Sequence, residues 1–327
     1  MIGRNAATRP KAVSEKQLNG LDNQPIKTTK KPPPKSINPN LPPFYFTSIF
    51  IGSKGSGKTY SLIKLLKNYE KYPIYDNDNN KLEMRVIVFC PTIMSAANPI
   101  YETLKYLDDD DIILDYSDNK LLEKLDDIEN EKKEIEDFNE YIRVWRKFMR
   151  IHENVNLLTP EELVILNKYD FVEPEYIKDK PKYKHPRINF LVFDDLVGDA
   201  HAFKRGHSAI NNLTIRHRHL QCNLLFTTQY IKAIPPVLRR NLDIFVLFKF
   251  ANAKSVVEQI YPEISAYINE EDFIKLFEYA TEKPNDSPII DNTQKLENKF
   301  KKNWNIALEF NNNLESQNAE LSGPAHH

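Results

Sequence analysis

Glycine is scarce in this chain, at 8 of 327 residues, and three of the eight, Gly52, Gly55 and Gly57, fall within six positions. Ordinary globular proteins carry about 7% glycine. A chain this sparing that crowds glycine into one loop needs backbone freedom there. Cysteine is rarer still: Cys90 and Cys222 sit in strand-like runs and form no C-x-x-C pair. That spacing supports neither a disulfide framework nor a zinc site and suits a reducing, intracellular setting. Long apolar runs are missing too; Val86 to Cys90 and Ile244 to Phe248 are among the longest. A membrane span needs ~18 such residues. The opening MIGRNAATRPK has no apolar leader region, so the expectation is a protein that is neither secreted nor membrane-spanning. Net charge is also nearly absent, at −1, but 41% hydrophobic and 28% charged residues are enough for a sizeable core.

Near-neutrality conceals three charged blocks. Residues 1–43 carry eight Lys/Arg against Glu15 and Asp22, with eight of the 21 prolines. They read as a basic, Pro-rich flexible arm, either a solvated linker or a segment that holds DNA or a partner electrostatically. Residues 108–140 carry fifteen Asp/Glu against four Lys, and residues 201–250 carry eight Lys/Arg and four His against Asp243 alone.

From Phe44 onward strands and helices alternate. The segments 44–52, 85–90, 188–195, 223–228 and 244–250 are apolar and strand-like, and 58–72 has apolar positions at 62, 65, 66 and 69, a helical spacing. Continuous apolar strands separated by helices predict an α/β fold with a mostly parallel central sheet covered by helices on both faces. Between the second and third strands, Leu121, Leu125, Ile128, Ile135, Phe138, Ile142, Trp145 and Met149 step by 3, 4 or 7 and predict one helical stripe. Thr159-Pro160-Glu161-Glu162 opens a further helix with an N-cap, a proline at N1 and a glutamate at N3. The expected organisation is an arm at 1–43, a core at 44–106 and 188–261, a helical acidic insertion at 107–187, and a C-terminal appendage of helix and strand at 262–327. Its last residues, Ser322 to His327, resemble a tag.

Gly52-Ser53-Lys54-Gly55-Ser56-Gly57-Lys58-Thr59 matches G-x-x-x-x-G-K-[ST] between a strand and a helix, as a phosphate-binding loop requires. The glycines let N–H groups turn inward and the helix N-terminus adds partial positive charge. Lys58 would reach the β- and γ-phosphates and Thr59 would bind Mg²⁺. Asn189 to Asp195 runs four apolar residues into two carboxylates. Asp194 is placed to hold the magnesium shell and Asp195 to polarise an attacking water, since consecutive strand-end residues point to different sides. The bland alternative is an Asp capping a turn. Gln229, after Thr227-Thr228, ends the next strand, where an amide can contact γ-phosphate and water, or is an ordinary strand-to-loop residue. Arg216-His217-Arg218-His219 and Arg239-Arg240 can stabilise phosphate charge in a neighbouring subunit, bind nucleic-acid phosphates, or form a solvated face. Histidines two apart do not share a helix side, so they suggest no metal site.

The order GSKGSGKT, FLVFDD and RHRHLQCNLLFTTQYIKAIPPVLRRNLDIFVLF resembles the FtsK–HerA superfamily of P-loop motor ATPases. Within it, the chain is most similar to the genome-packaging ATPases of poxvirus-type large DNA viruses and their virophage and polinton-like relatives. The resemblance spans roughly 44–106 and 188–261. It implies a RecA-like core that binds ATP and Mg²⁺, forms a homo-oligomeric ring and drives double-stranded DNA into a capsid, with a capsid or portal protein as a further partner. It also implies a cytoplasmic, viral-factory location and no membrane. By the same resemblance Arg218, or the nearby Arg216, is the arginine acting on a neighbouring subunit. Arg239 lies at the family's Pro-Pro-x-x-Arg position, after Ile234-Pro235-Pro236 and before Asn241. The family's second acidic residue is often Glu; here it is Asp195, whose shorter side chain must sit closer or work through a water. The rivals are another P-loop nucleic-acid motor such as a helicase, and a slow nucleotide-binding module that docks a capsid partner.

Overall fold

A computed structural model describes residues 32–91, 99–196, 208–250, 253–266 and 268–309. Most of the basic arm, Gly198 and Gly206 after the acidic strand, and the terminal tag-like residues lie outside them. The strands in chain order are β1 (Lys35–Ser36), β2 (Thr47–Ile51), β3 (Ile74–Tyr75), β4 (Lys81–Leu82), β5 (Met84–Phe89), β6 (Ile112–Ile113), β7 (Ile188–Phe193), β8 (Cys222–Thr228), β9 (Ile244–Leu247), β10 (Pro288–Asp291), β11 (Phe300–Lys302) and β12 (Ile306–Ala307). The helices are α1 (Lys58–Lys71), α2 (Asp118–Arg150), α3 (Pro160–Lys168), α4 (Ala209–Arg216), α5 (Pro236–Arg240), α6 (Ala253–Ile264), α7 (Glu270–Ala280) and α8 (Leu296–Lys299).

Nine strands form one sheet in the order β12-β11-β10-β9-β2-β8-β7-β5-β6. The six from β9 to β6 run parallel, and β10, β11 and β12 are antiparallel. Of the parallel strands, β2, β5, β7, β8 and β9 are buried throughout, so both faces must be covered. Ile188, Phe190 and Val192 face one way, with Leu62, Leu65, Leu66 and Tyr69 of α1. Leu191 and Phe193 face the other, with Ile210 and Leu213 of α4, Leu238 of α5 and Phe273 of α7. The expected α/β sheet covered on both faces is therefore present.

The expected domain limits meet three departures. The arm ends earlier than residue 43: β1 pairs antiparallel with β3, Leu41 is buried, and the Tyr69 hydroxyl donates to the Pro42 carbonyl at 2.6 Å. The segment 262–327 is more than an appendage, because β10 pairs directly with β9 and extends the main sheet. The insertion is divided. β6 and the first half of α2 belong to the main core through Ile113, Leu121 and Ile128, whereas Tyr141, Val144 and Phe148 join Leu158 and Leu166 of the α3 region in a separate small core.

That division splits the apolar stripe, whose Leu121, Leu125 and Ile128 pack on the main core and whose Phe138 and Trp145 pack on the small one. At about 100° per residue, Tyr141, Val144 and Phe148 lie roughly 140–200° around α2 from Leu121. The distal half thus buries the opposite face, and Met149 is exposed. The cause is a change of neighbour, from the sheet to α3. α3 carries its full capping box, with the Thr159 N–H donating to Glu162 Oε2 at 2.9 Å and the Glu162 N–H to Thr159 Oγ1 at 3.2 Å.

Candidate active site

The phosphate-loop sequence lies where the sheet delivers it. β2 is the central strand, the loop 52–57 leaves its carboxyl end, and Gly57 caps α1 at φ 99°. A non-glycine residue pays for that left-handed geometry, at Gly57 and also at Gly55, φ 75°. Gly52 is required by space. A Cβ there would stand 2.5 Å from Ser56 Oγ and 2.6 Å from Phe248 Cβ, just beyond β9. Ser53, Lys54 and Gly55 are exposed at the loop's crest.

Lys58 folds back on the loop and donates from Nζ to the carbonyls of Gly52 at 2.8 Å and Ser53 at 2.9 Å. An ammonium has three N–H donors, so one is left over. Burial lowers the Lys58 pKa, and the charges of Asp195 and then Asp194 oppose that shift. The loop suits a polyphosphate on independent grounds. Gly55 has nothing within 4 Å of where a Cβ would stand, and the Ser56 hydroxyl oxygen is buried without a hydrogen-bond partner.

Asp194 follows β7 in the phase of Phe190 and Val192, which directs it to the α1 side. There its carboxylate is buried and meets Thr59, whose hydroxyl donates to Oδ2 at 3.2 Å and Oδ1 at 3.4 Å. Two hard oxygen groups this close suit Mg²⁺, which takes one or two protein oxygens and completes its shell from phosphates and water. Among the described residues no group of three or more His, Cys, Asp or Glu offers a metal site.

Three further groups surround Asp194 that motif reading did not select. The buried Tyr101 hydroxyl donates to Oδ2 at 2.7 Å, Thr227 Oγ1 donates to Oδ1 at 2.5 Å, and the Cys90 thiol lies 3.8 Å from Oδ2. Cys90 follows β5, and Tyr101 stands on the short helical turn Pro99–Thr103. Only the pairing of β5 with β7 brings them to the acidic strand. Burial, then the Asp194 charge, holds the Tyr101 pKa well above its ordinary value.

Asp195 diverges from Asp194 because the chain has left β7 and turns at this residue. It is exposed, at φ 57°, and its N–H donates to Thr227 Oγ1 at 2.9 Å. Gln229 is half-buried one residue beyond β8. β8 lies between β2 and β7, so the Gln229 strand end separates the loop strand from the acidic strand. Arg85 to Cys90, the strand between the two motifs in sequence, lies outside β7 instead. Crossover connections, not chain order, decide adjacency.

The arginines lie elsewhere. Arg218 is exposed and pairs with Asp243 Oδ1 at 3.1 Å, while Asp243 Oδ2 accepts the Thr47 N–H at 2.8 Å. Thr47 opens β2 and the phosphate loop follows its far end, about 16 Å away at ~3.3 Å per residue. Arg216, the last residue of α4, is exposed; the buried His217 and exposed His219 point to different sides, as their spacing suggests. Arg239, on α5, pairs with Glu263 of α6 at 3.3 Å, and Asn241 donates to the Val237 carbonyl at 2.7 Å. The structure therefore brings together Gly52 to Thr59, Asp194 and Asp195, with Gln229 on the intervening strand. Arg218 is held at the opposite sheet end.

No helix among the described residues is long and apolar enough to cross a membrane. No protein-family model and no curated protein matches the sequence. Among solved structures the chain is similar to the genome packaging NTPase B204 from Sulfolobus turreted icosahedral virus 2 in complex with AMP, at 15% identity and TM-score 0.40, covering 79% of this chain and 96% of that one. It is also similar to EssC (ATPases 2 and 3) from Geobacillus thermodenitrificans, at 18% identity and TM-score 0.36, covering 66% and 34%. The N-terminal domain of zonular occludens toxin from Neisseria meningitidis matches at 11% identity and TM-score 0.28, covering 62% and 76%. At such identities and scores these neighbours assign no activity or substrate to this chain.

Proposed function

We propose that the protein is a Mg²⁺-dependent ATP hydrolase that works as a motor moving double-stranded DNA into a viral capsid. The observation that carries the nucleotide chemistry is the meeting of Thr59 and Asp194 at 3.2 Å beside a loop whose Lys58 and Ser56 are turned inward. The DNA and capsid part rests on the resemblance of the motif order.

In this reading the loop N–H groups and the α1 N-terminus hold the phosphates. Lys58 supplies its remaining donor to the β- and γ-phosphates. Thr59 and Asp194 hold Mg²⁺, which when bound neutralises developing phosphate charge. Asp195 accepts a proton from the attacking water, directly or through another water, and Gln229 orients that water. The separation of Arg218 from its own loop supports a role in a neighbour's site, within a homo-oligomeric ring, with Arg216 as the alternative; Arg239, engaged with Glu263, is the weaker candidate. Arg216, Arg218 and Arg240 are also each exposed, as contact with DNA phosphates would require.

The test is ATPase activity with and without duplex DNA, with Lys58→Ala as control. A wild-type protein no more active than that variant would exclude the hydrolase, and stimulation by single strands in preference to duplex would favour a helicase.

A further inference from the structure

Asp194 offers two carboxylate oxygens: one receives a donor from Tyr101, on the connection after β5, and the other from Thr227 of β8. We propose that Tyr101 is a positioning residue for Asp194, fixing the carboxylate in the rotamer that faces Thr59 and thereby setting how strongly Mg²⁺ supports nucleotide binding. The inference rests on the proposed nucleotide site and adds a residue to it that lies outside every motif of the sequence.

The geometry is specific. The Tyr101 ring is buried and its hydroxyl donates to Oδ2 at 2.7 Å, while Thr227 donates to Oδ1 at 2.5 Å. A carboxylate gripped on both oxygens by neutral donors keeps its orientation without losing negative charge. Thr227 also accepts the Asp195 N–H at 2.9 Å, so the same clamp spaces the two aspartates. Thr59 alone cannot do this: its hydroxyl spans both oxygens at 3.2 and 3.4 Å, a looser contact. Tyr101 is anchored from behind, as the Leu104 N–H donates to its carbonyl at 3.1 Å and Leu104 is itself buried in the α1-side core. A bare core tyrosine would place its hydroxyl toward solvent or a backbone carbonyl; this one spends it on the carboxylate of the acidic motif. Groups that orient metal-binding side chains typically change metal affinity or activity by 10–100-fold when removed.

The experiment measures binding of a fluorescent, non-hydrolysable ATP analogue to the full chain in Mg²⁺ and in EDTA, and takes the ratio of affinities. Tyr101→Phe keeps the ring and removes only the donor; the ratio should fall about tenfold or more, with EDTA affinity and melting temperature near wild type. Leu104→Ala loosens the same turn but leaves the donor, and its ratio should stay close to wild type. An unchanged ratio in Tyr101→Phe, or an equal fall in Leu104→Ala, overturns the proposal. Should Tyr101→Phe fail to fold, Thr227→Val applies the test to the other oxygen, and a wild-type ratio there also overturns the clamp. If the wild type itself binds the analogue no better than Lys58→Ala, the nucleotide site is what has failed.

Discussion

Replacing Gly52 by Ala adds one methyl group at the most crowded point of the phosphate loop. The new Cβ would stand 2.5 Å from Ser56 Oγ and 2.6 Å from Phe248 Cβ. The first contact is relieved by rotating the Ser56 hydroxymethyl, which has no hydrogen bond to lose. The second is not, because the Phe248 N–H is tied to the Ile51 carbonyl at 2.8 Å. Either β9 separates from β2 or the loop lifts away, and overpacking of this kind costs about 1–3 kcal/mol. Borne by the loop, that strain weakens ATP binding by roughly 5–150-fold at ~1.4 kcal/mol per decade. Borne by the sheet, it lowers the melting temperature by roughly 3–9 °C. Titration of a fluorescent ATP analogue together with a melting curve separates the two routes. Gly55→Asn is the comparison: nothing lies within 4 Å of a Cβ there and asparagine tolerates φ 75°, so it should bind within about threefold of wild type. A Gly52→Ala protein with unchanged affinity and unchanged melting would refute the reasoning.

Other outcomes follow from single contacts. If Arg218 acts in a neighbour's site, Arg218→Ala should bind the ATP analogue normally but lose steady-state hydrolysis, and mixing it with inactive Lys58→Ala subunits should restore activity; no recovery in a mixed oligomer counts against that role. Phe148→Ala should destabilise the small α2–α3 core by about 3–5 kcal/mol, whereas Met149→Ala next to it, being exposed, should stay within ~0.5 kcal/mol, as read by hydrogen exchange of that region. Burial depresses the His217 pKa below 6.5 in the folded state, so the unfolded chain binds the proton more readily. Stability from this group is full above about pH 6.5 and falls as pH drops below it. Asp243, whose pKa burial raises, contributes with the opposite sign. His217→Asn should therefore flatten the loss of melting temperature between pH 6.5 and 5 relative to wild type, and an identical slope would show that His217 does not drive it. Trp304→Phe should lower the melting temperature by a few degrees, since the indole N–H donates to Ser61 Oγ at 3.1 Å within α1.

Local chemistry in the chain determined a good deal. The strand, loop and helix around Gly52 to Thr59 follow from apolar runs, glycine placement and a 3.6-residue period, and the capping box of α3 follows from four consecutive residues. Alternation along a strand predicts that Asp194 and Asp195 diverge, whereas the structure separates them by a left-handed turn at Asp195, φ 57°, beyond the end of β7. Tertiary structure alone decided which strands are neighbours, because crossover connections carry the chain past adjacent positions: β8 enters between β2 and β7, and β5 pairs outside β7. That order assembles Tyr101, Thr227 and Cys90 around Asp194, residues whose spacing carries no signal because β8 supplies one and the connection after β5 the other two. It also sets Arg218 a strand length from its own loop and folds the C-terminal segment into the sheet, where the β9 edge offers unpaired backbone groups that β10 satisfies. The reversal of the buried face along α2 has the same origin, since period describes a helix and not the partner it meets. The crowded glycines thus mark the site in sequence, while Phe248, brought in from β9, is what makes Gly52 indispensable.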